Sequence, residues 1–191
     1  MQLTSNQIST LAQGQIPPLI RSFYSAMGIT LPPIIRPLVE PFDQSLVNPA
    51  SLDIRIGHHA ALLTANGWSE INLGTFTEDR PFSLMPYPAD RILVSSLETF
   101  NLPNFLTGVF KLKSSRGREF YENVLAGFCD PGWHGSKLTM EIINMDLAPL
   151  PIYPGLKMGQ LVFSLTLAPP DQDYSVRGRY NNDRQVVGSK G

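Results

Sequence analysis

Between residues 47 and 167 the chain is divided into short apolar runs of strand length, and this division limits its fold more than any other feature. In Leu52–Ile56, apolar and charged residues alternate with a period of two, the pattern of a half-buried strand. Further strands are predicted at 60–64, 91–97, 107–113, 137–143 and 160–167, separated by clusters of Gly, Pro, Asn and Asp. Many short strands without a βαβ rhythm predict an antiparallel sandwich, jelly roll or barrel.

The N-terminal region has a different pattern. Residues 4–13 are predicted to form a helix, because Thr4 and Gln7 fit a capping box ahead of apolar residues. The next segment, 16–37, is apolar and rich in proline, which excludes one continuous helix but allows a short one near 19–27. Because this insertion is too apolar for a solvated linker, we expect it to pack on the domain or on a neighbouring subunit.

Composition restricts the function classes. A chain of 191 residues has the length of one domain, 1–191, with a sizeable core. The net charge of −1 gives no reason to expect a nucleic acid or an acidic membrane as partner. We find no apolar run of about 18 residues and no secretion signal. The single Cys129 fits a reducing cytoplasm, and the sequence has none of the Cys and His spacings that hold a catalytic zinc.

The segment from Lys113 to Asn144 combines three features of a nucleotide site. Ser114 and Ser115 stand among cations, a combination suited to phosphate oxygens. An Asp-Pro-Gly turn follows, and then Glu141 interrupts an apolar run. Burial would raise the pKa of such a Glu, which suits a group that moves a proton near neutral pH. The residues alone also allow a solvated turn, a turn-initiating Asp and an outward-facing strand residue.

Five segments in register over about 125 residues resemble the dCTP deaminase branch of the trimeric dUTPase-like superfamily. They are VEPFDQSLVNPASLDIRIG (39–57), ADRILVSSLETFNLPNFLTGVFKLKSSRGR (89–118), AGFCDPGWHG (126–135), LTMEIIN (138–144) and YPGLKMGQLVF (153–163). The resemblance implies a mainly β fold, a distorted jelly roll or dUTPase-like β-barrel, in a homotrimer with active sites between subunits. It also implies hydrolytic deamination of dCTP without zinc, with Mg²⁺ accompanying the nucleoside triphosphate.

The same resemblance assigns roles to residues. Glu141 is the predicted proton carrier, and Asp130 builds the pocket or orients a water. The predicted phosphate clamp is Lys113, Ser114, Ser115 and Arg118. The predicted base and sugar contacts are Ala126, Phe128, Tyr180 and Asp183. Residues 169–191 are predicted to form a flexible C-terminal lid that closes through Arg179, Gln185 and Lys190.

Some positions depart from the family pattern. Lys113 replaces an Arg, Leu125 stands where the deaminases carry Thr, and Asp183 replaces the Gln that reads the base edge. Asp183 would accept a hydrogen bond from the amino group of cytosine and repel O4 of uracil, which favours a cytosine substrate. The gap from Asp130 to Glu141 is one residue longer than usual; a bulge would absorb it, whereas a register slip would turn Glu141 to the other face.

Other residues have predicted structural roles. Asp53 and Arg55 lie two apart on one strand face and are predicted to pair with neighbours. His134 is predicted to be a loop residue. Phe128 and Trp133 either wall the deoxyribose or belong to the core.

Three functions are compatible with these residues. The first is deamination of dCTP to dUTP and ammonia. The second is hydrolysis of dUTP to dUMP and pyrophosphate, alone or in a bifunctional enzyme. The third is nucleotide binding by a trimer without chemistry.

Overall fold

The computed structural model describes residues 1–124, 126–186 and 188–190. The helices in these ranges are α1 (Ser5–Ala12), α2 (Pro18–Ala26), α3 (Ser114–Arg118) and α4 (Tyr174–Arg177). The strands are β1 (Val39–Glu40), β2 (Val47–Asn48), β3 (Ser51–Thr64), β4 (Gly67–Asn72), β5 (Phe82–Leu84), β6 (Ile92–Asn101), β7 (Leu106–Leu112), β8 (Tyr121–Asn123), β9 (Phe128–Cys129), β10 (His134–Asn144), β11 (Leu150–Ile152) and β12 (Lys157–Leu165). None of the helices in the described ranges is long and apolar enough to cross a membrane.

Most strands belong to one antiparallel sheet that curls into a half-barrel, in the order β8-β10-β6-β3-β12-β7-β9. Strand β1 also pairs with β6, and β2 and β4 pair with β3, while β5 and β11 form a separate ribbon. The core lies inside the curl and includes the buried rings of Phe100, Phe163 and Tyr121. The predicted mainly β fold, with an N-terminal helix and a short helical insertion, is confirmed.

The capping box predicted from Thr4 and Gln7 begins α1, because the Gln7 side chain accepts the Thr4 backbone N–H at 2.9 Å. Ile8 and Leu11 then face the core and are fully buried.

The Pro-rich insertion packs against its own domain through α2. The Tyr24 ring is fully buried, meets Phe105 edge to face at 5.8 Å, and donates its hydroxyl to the Thr166 carbonyl at 2.6 Å. The insertion also leaves Ile35 almost completely exposed.

The strands predicted at 52–56 and 60–64 are one continuous strand, β3. Its pairing with β6 shifts between Ile56 and Ala60, so β3 bulges there. Gly57 occupies the bulge, where an added Cβ would lie 2.5 Å from the Ser96 carbonyl oxygen. The bulge interrupts the period-two pattern, and this interruption is what divides the strand in the sequence.

Strand β10 turns Leu138, Met140 and Ile142 into the core. Its register against β6 shifts twice between residues 134 and 139. Bulges of this kind absorb an extra residue, so the longer gap before Glu141 does not place that side chain on the core face.

Candidate active site

A space of about 200 Å³, here called cavity A, lies between β9, the first half of β10 and the C-terminal tail. All of the predicted base and sugar residues line it: Ala126, Phe128, Tyr180 and Asp183. Asp130 lines it as well. Cavity A is smaller than the roughly 300–1,000 Å³ typical of ligand pockets, so it has room for only part of a nucleotide.

The Asp-Pro-Gly turn forms one wall of cavity A. Asp130 accepts the Trp133 backbone N–H through its carbonyl at 3.2 Å, and burial raises the pKa of its side-chain carboxyl. Gly132 has φ +87, and an added Cβ would lie 2.7 Å from the Asp173 carboxylate, so the turn requires glycine there. Asp130 therefore lies at the start of the turn and is also part of the cavity lining.

The two aromatic candidates have different environments. Trp133 is buried, stacks on Phe100 at 5.9 Å and donates Nε1–H to the Tyr180 carbonyl at 3.0 Å. It is thus a core residue that also lines cavity A. Phe128 lies on β9 and is 62% exposed, so its ring is available to a ligand or to a neighbouring chain.

The outer face of β10 carries a pocket residue that sequence reasoning missed. Lys137 lines cavity A, and its Nζ donates to the carbonyls of Ser96 (3.1 Å) and Leu97 (2.6 Å). Burial lowers the pKa of the Lys137 amine, an effect that the Glu98 carboxylate opposes. The sequence does carry a signal for the position of Lys137. In a strand, residues separated by an even number of positions lie on the same face, and Lys137 is four residues before Glu141.

Glu141 lies on the same face of β10 as Lys137 and Thr139. It is two residues beyond Thr139, about 7 Å along the strand, and Thr139 lines cavity A whereas Glu141 is not part of the lining. The side chain is half-buried, and its Oε2 is shielded from solvent without a described hydrogen-bond partner. Burial raises the pKa of the Glu141 carboxyl, so it holds a proton more readily than an exposed Glu.

Three of the four predicted clamp residues lie on the single helical turn of α3. Ser114, Ser115 and Arg118 are exposed on it. Arg116, by contrast, pairs with Glu119 at 2.6 Å and lies over the Tyr121 ring at 5.8 Å. Arg116 therefore anchors α3 to β8, and Arg118 is free to meet an anion from outside.

Lys113 precedes α3, and its ammonium is paired within the chain. Its Nζ lies 2.6 Å from the buried Asp53 carboxylate, which also accepts from Asn48 at 2.7 Å. Arg55 likewise donates Nε–H to the buried Glu98 at 2.7 Å. Asp53 and Arg55 thus each pair with a neighbouring side chain, which is a structural role. The ion pair of Asp53 also holds the Lys113 side chain at the start of the clamp.

The clamp and cavity A do not meet within one chain. None of the residues 113–118 lines cavity A as the structure describes it. Glu141 lies between the two regions, because its strand pairs with β8 through Ile142 and Asn123, and β8 packs against α3.

The C-terminal tail covers cavity A and is tied to the start of β10. The Ser136 hydroxyl donates to the Tyr180 carbonyl at 2.6 Å, and the Lys137 N–H donates to the Asp183 carbonyl at 2.8 Å. Lys190 binds the Asp183 carboxylate at 2.6 Å and lies over the Tyr180 ring at 5.0 Å. The Asp183 carboxylate is therefore already engaged by the tail itself.

None of the predicted lid residues Arg179, Gln185 and Lys190 is among the described residues that line cavity A. Arg179 and Gln185 are exposed, and Arg179 contributes only its carbonyl, which accepts from Lys190 at 2.9 Å. Leu125 lies outside the described residues. His134 begins β10 rather than lying in a loop, and its Nδ1 is 2.8 Å from the Gly132 carbonyl.

Both tryptophans lie against the tail. Trp133 donates its Nε1–H to the Tyr180 carbonyl, and a Cβ built on Gly188 would be 3.5 Å from the Trp68 indole.

Among the described residues, we find no group of three or more His, Cys, Asp or Glu side chains that could hold a metal ion.

Residues 35–166 match the family profile described as dCTP deaminase-like. Two curated relatives are each named dCTP deaminase, dUMP-forming. The protein of Corynebacterium efficiens is 31% identical over 167 residues, which cover 80% of this chain and 85% of the relative. The protein of Aquifex aeolicus is 35% identical over 159 residues, which cover 80% of this chain and 84% of the relative.

A solved structure, the 2′-deoxycytidine 5′-triphosphate deaminase of Agrobacterium tumefaciens, superimposes with a TM-score of 0.59. The match covers 86% of this chain and 48% of that one, so this chain spans about half the length of the Agrobacterium protein. At 19% identity the likeness concerns the fold.

Proposed function

The chain belongs to the dCTP deaminase-like family, and we propose that it converts dCTP to dUMP, ammonia and pyrophosphate. Its relatives bear the names of hydrolytic enzymes, in agreement with the predicted enzyme class. Those names correct one expectation, because they give dUMP as the product, whereas sequence analysis placed dUTP first. The bifunctional alternative is therefore the one we adopt.

The observation that carries the proposal is the half-buried Glu141, whose shielded oxygen has no described partner and whose pKa is raised. A carboxyl in this state takes a proton from water and returns it during the reaction. It shares a strand face with Thr139, which lines the cavity that we assign to the base.

Two hydrolytic steps balance the reaction. In the first, a water adds across the bond between C4 and N3 of cytosine: Glu141 takes one proton from that water and passes it to N3. Glu141 then transfers the proton of the new C4 hydroxyl to the amino nitrogen, so ammonia leaves and C4 keeps a carbonyl oxygen. In the second, a water attacks the α-phosphorus, the bond between the α-phosphorus and the bridging oxygen breaks, and pyrophosphate leaves. We assign Asp130 to orient the second water. The sum is dCTP plus two waters giving dUMP, ammonia and pyrophosphate.

In this account the clamp binds the magnesium complex of the triphosphate. Arg118 and the hydroxyls of Ser114 and Ser115 supply the donors, while Lys113 must share its ammonium between Asp53 and the phosphate. Zinc has no part in the proposed reaction.

The base would occupy cavity A beneath the tail, which serves as the lid of the proposed site. Asp183 is suited to accept a hydrogen bond from the amino group of cytosine, provided that Lys190 shares the carboxylate. Ala126 and Phe128 border the remaining space.

A homotrimer would complete the site. Within one chain the clamp lies apart from cavity A, which supports a site formed by the clamp of one subunit and the cavity of another. Gel filtration with light scattering measures the assembly directly, and a monomer would exclude this arrangement.

Product analysis tests the proposed function. The protein is incubated with Mg²⁺ and, in separate reactions, with dCTP or dUTP, and ammonia, pyrophosphate and nucleotides are quantified. From dCTP we expect equal amounts of ammonia, pyrophosphate and dUMP. Accumulation of dUTP would show a deaminase without the second step. Pyrophosphate from dUTP, with no ammonia from dCTP, would favour a dUTP pyrophosphatase. Binding of dCTP without any product would indicate a non-catalytic member.

A further inference from the structure

The pairing of β6 with β10 is interrupted beside cavity A. Lys137 lies opposite Thr99. Thr139 lies opposite Ser95, so two steps along β10 span four steps along β6. Residues 96–98 of β6 therefore form a bulge. A bulge takes backbone groups out of the regular ladder, and buried backbone groups then need other partners.

The side chain of Lys137 supplies partners for this bulge. Its Nζ donates to the Ser96 carbonyl at 3.1 Å and to the Leu97 carbonyl at 2.6 Å. Hydrogen bonds from an ammonium are stronger than those from a neutral donor. The buried Ser96 hydroxyl bridges the bulge to β10, because it accepts the Leu138 N–H at 2.8 Å and donates to the Glu98 carbonyl at 2.6 Å.

Regular pairing resumes directly after these contacts, and the point where it resumes sets the position of Glu141. Thr139 pairs with Ser95, and Glu141 pairs with Leu93. Since successive side chains of a strand point to opposite faces, the register after the bulge determines which residues lie on the face that borders cavity A.

Lys137 is also joined to the C-terminal tail. Its backbone N–H donates to the Asp183 carbonyl at 2.8 Å, and the residue lines cavity A. One residue therefore connects the β6 bulge, the tail over the cavity and the strand that carries Glu141.

We propose, on the basis of the proposed function of Glu141, that Lys137 is a positioning residue for the reaction. Through its hydrogen bonds to the β6 bulge, its ammonium holds β10 at the register and distance that present Glu141 to the base. Lys137 should therefore affect the chemical step more than substrate binding, because the triphosphate is bound by the clamp.

Lys137→Met tests this role, because it keeps an unbranched side chain and removes the ammonium. We expect kcat for dCTP to fall about 10- to 100-fold, since a displacement of about 1 Å in a site has effects of that size. KM should change less than about threefold. Lys137→Arg retains a cation with several N–H donors and should keep kcat within about fivefold of the wild type. Lys111→Met, the same substitution at an exposed lysine of β7, should leave both constants unchanged.

Hydrogen exchange of the protein without nucleotide provides a readout that does not depend on turnover. The backbone N–H groups of residues 139–142 should exchange about tenfold faster in Lys137→Met than in the wild type, the value of one hydrogen bond. Lys137→Arg should exchange at nearly the wild-type rate. Ser96→Ala removes the other link across the bulge and should change exchange and kcat in the same direction as Lys137→Met. Circular dichroism establishes folding, and Ser96→Ala decides the question if Lys137→Met does not fold.

Unchanged kcat or unchanged exchange in a folded Lys137→Met protein would overturn the proposal. A rise in KM alone would also overturn it, because Lys137 would then be a substrate contact. An Arg variant as impaired as the Met variant would exclude the ammonium as the cause. A wild-type protein that does not turn over dCTP would instead refute the proposed function, and the exchange of residues 139–142 would still decide whether Lys137 holds β10.

Discussion

Replacing Glu141 with Gln should lower the turnover of dCTP without lowering the free energy of unfolding at pH 7. The substitution keeps the size of the side chain and breaks no described hydrogen bond at Oε2, because that oxygen has no partner. It removes the group that exchanges the proton, and such groups contribute about 10²–10⁴-fold to a rate. We therefore expect turnover of dCTP to fall by that factor, about 2.7–5.4 kcal/mol of transition-state stabilisation.

The same change should not destabilise the fold at neutral pH. Because folding raises the pKa of Glu141 above its ordinary value of 4.5, the stability that this group contributes is fully present below that pH. It is lost as the pH rises through the raised value, since the charged form is disfavoured in the folded state. The Gln variant should thus equal or exceed the wild type at pH 7, and lose that advantage near pH 4.

The assay pairs ammonia release with thermal unfolding at both pH values. Glu122→Gln is the matched control, because Glu122 is exposed on the neighbouring strand and should leave turnover unchanged. Binding of dCTP to the Glu141→Gln protein should remain close to that of the wild type. A Gln variant that keeps normal turnover, or that is clearly less stable than the wild type at pH 7, would refute the reasoning.

Three other substitutions probe the surroundings. Asp53→Ala leaves the half-buried Lys113 without its partner and should lower the free energy of unfolding by about 2–4 kcal/mol in denaturant titration; an unchanged midpoint would contradict the pairing. Arg118→Ala should raise the KM for dCTP by about tenfold or more with little change in stability, since the lost contact is a charge-assisted hydrogen bond to substrate. Lys190→Met breaks the surface pair with Asp183 and should increase the open population of the tail by about 1.5- to 5-fold, seen in tryptophan fluorescence.

Sequence analysis predicted correctly the elements whose formation depends on residues close together in the chain. The capping box at Thr4 and the short helix in the Pro-rich insertion are both present, because each depends on neighbouring residues. The short strands β8 and β9 were missed, since two or three residues carry no usable periodicity and only their partners define them.

The candidate site was predicted more fully as a set of residues than as a geometry. Asp130 and Tyr180 come together at cavity A although 50 positions separate them, and no pattern within either segment reveals that contact. The bulges of β10, the capture of Lys113 by Asp53 and the distance of the clamp from cavity A all depend on tertiary pairing. The period-two pattern of apolar residues identifies individual strands, but it does not show which segments pair with each other in the fold.

A crystal structure of the Glu141→Gln protein with dCTP and Mg²⁺ tests the central claim most directly. The account predicts a trimer with cytosine in cavity A, a water between C4 and the side chain at position 141, and the triphosphate on residues 113–118 of a neighbouring subunit. A cytosine ring bound elsewhere, or a residue 141 that faces bulk solvent in the assembled protein, would contradict it.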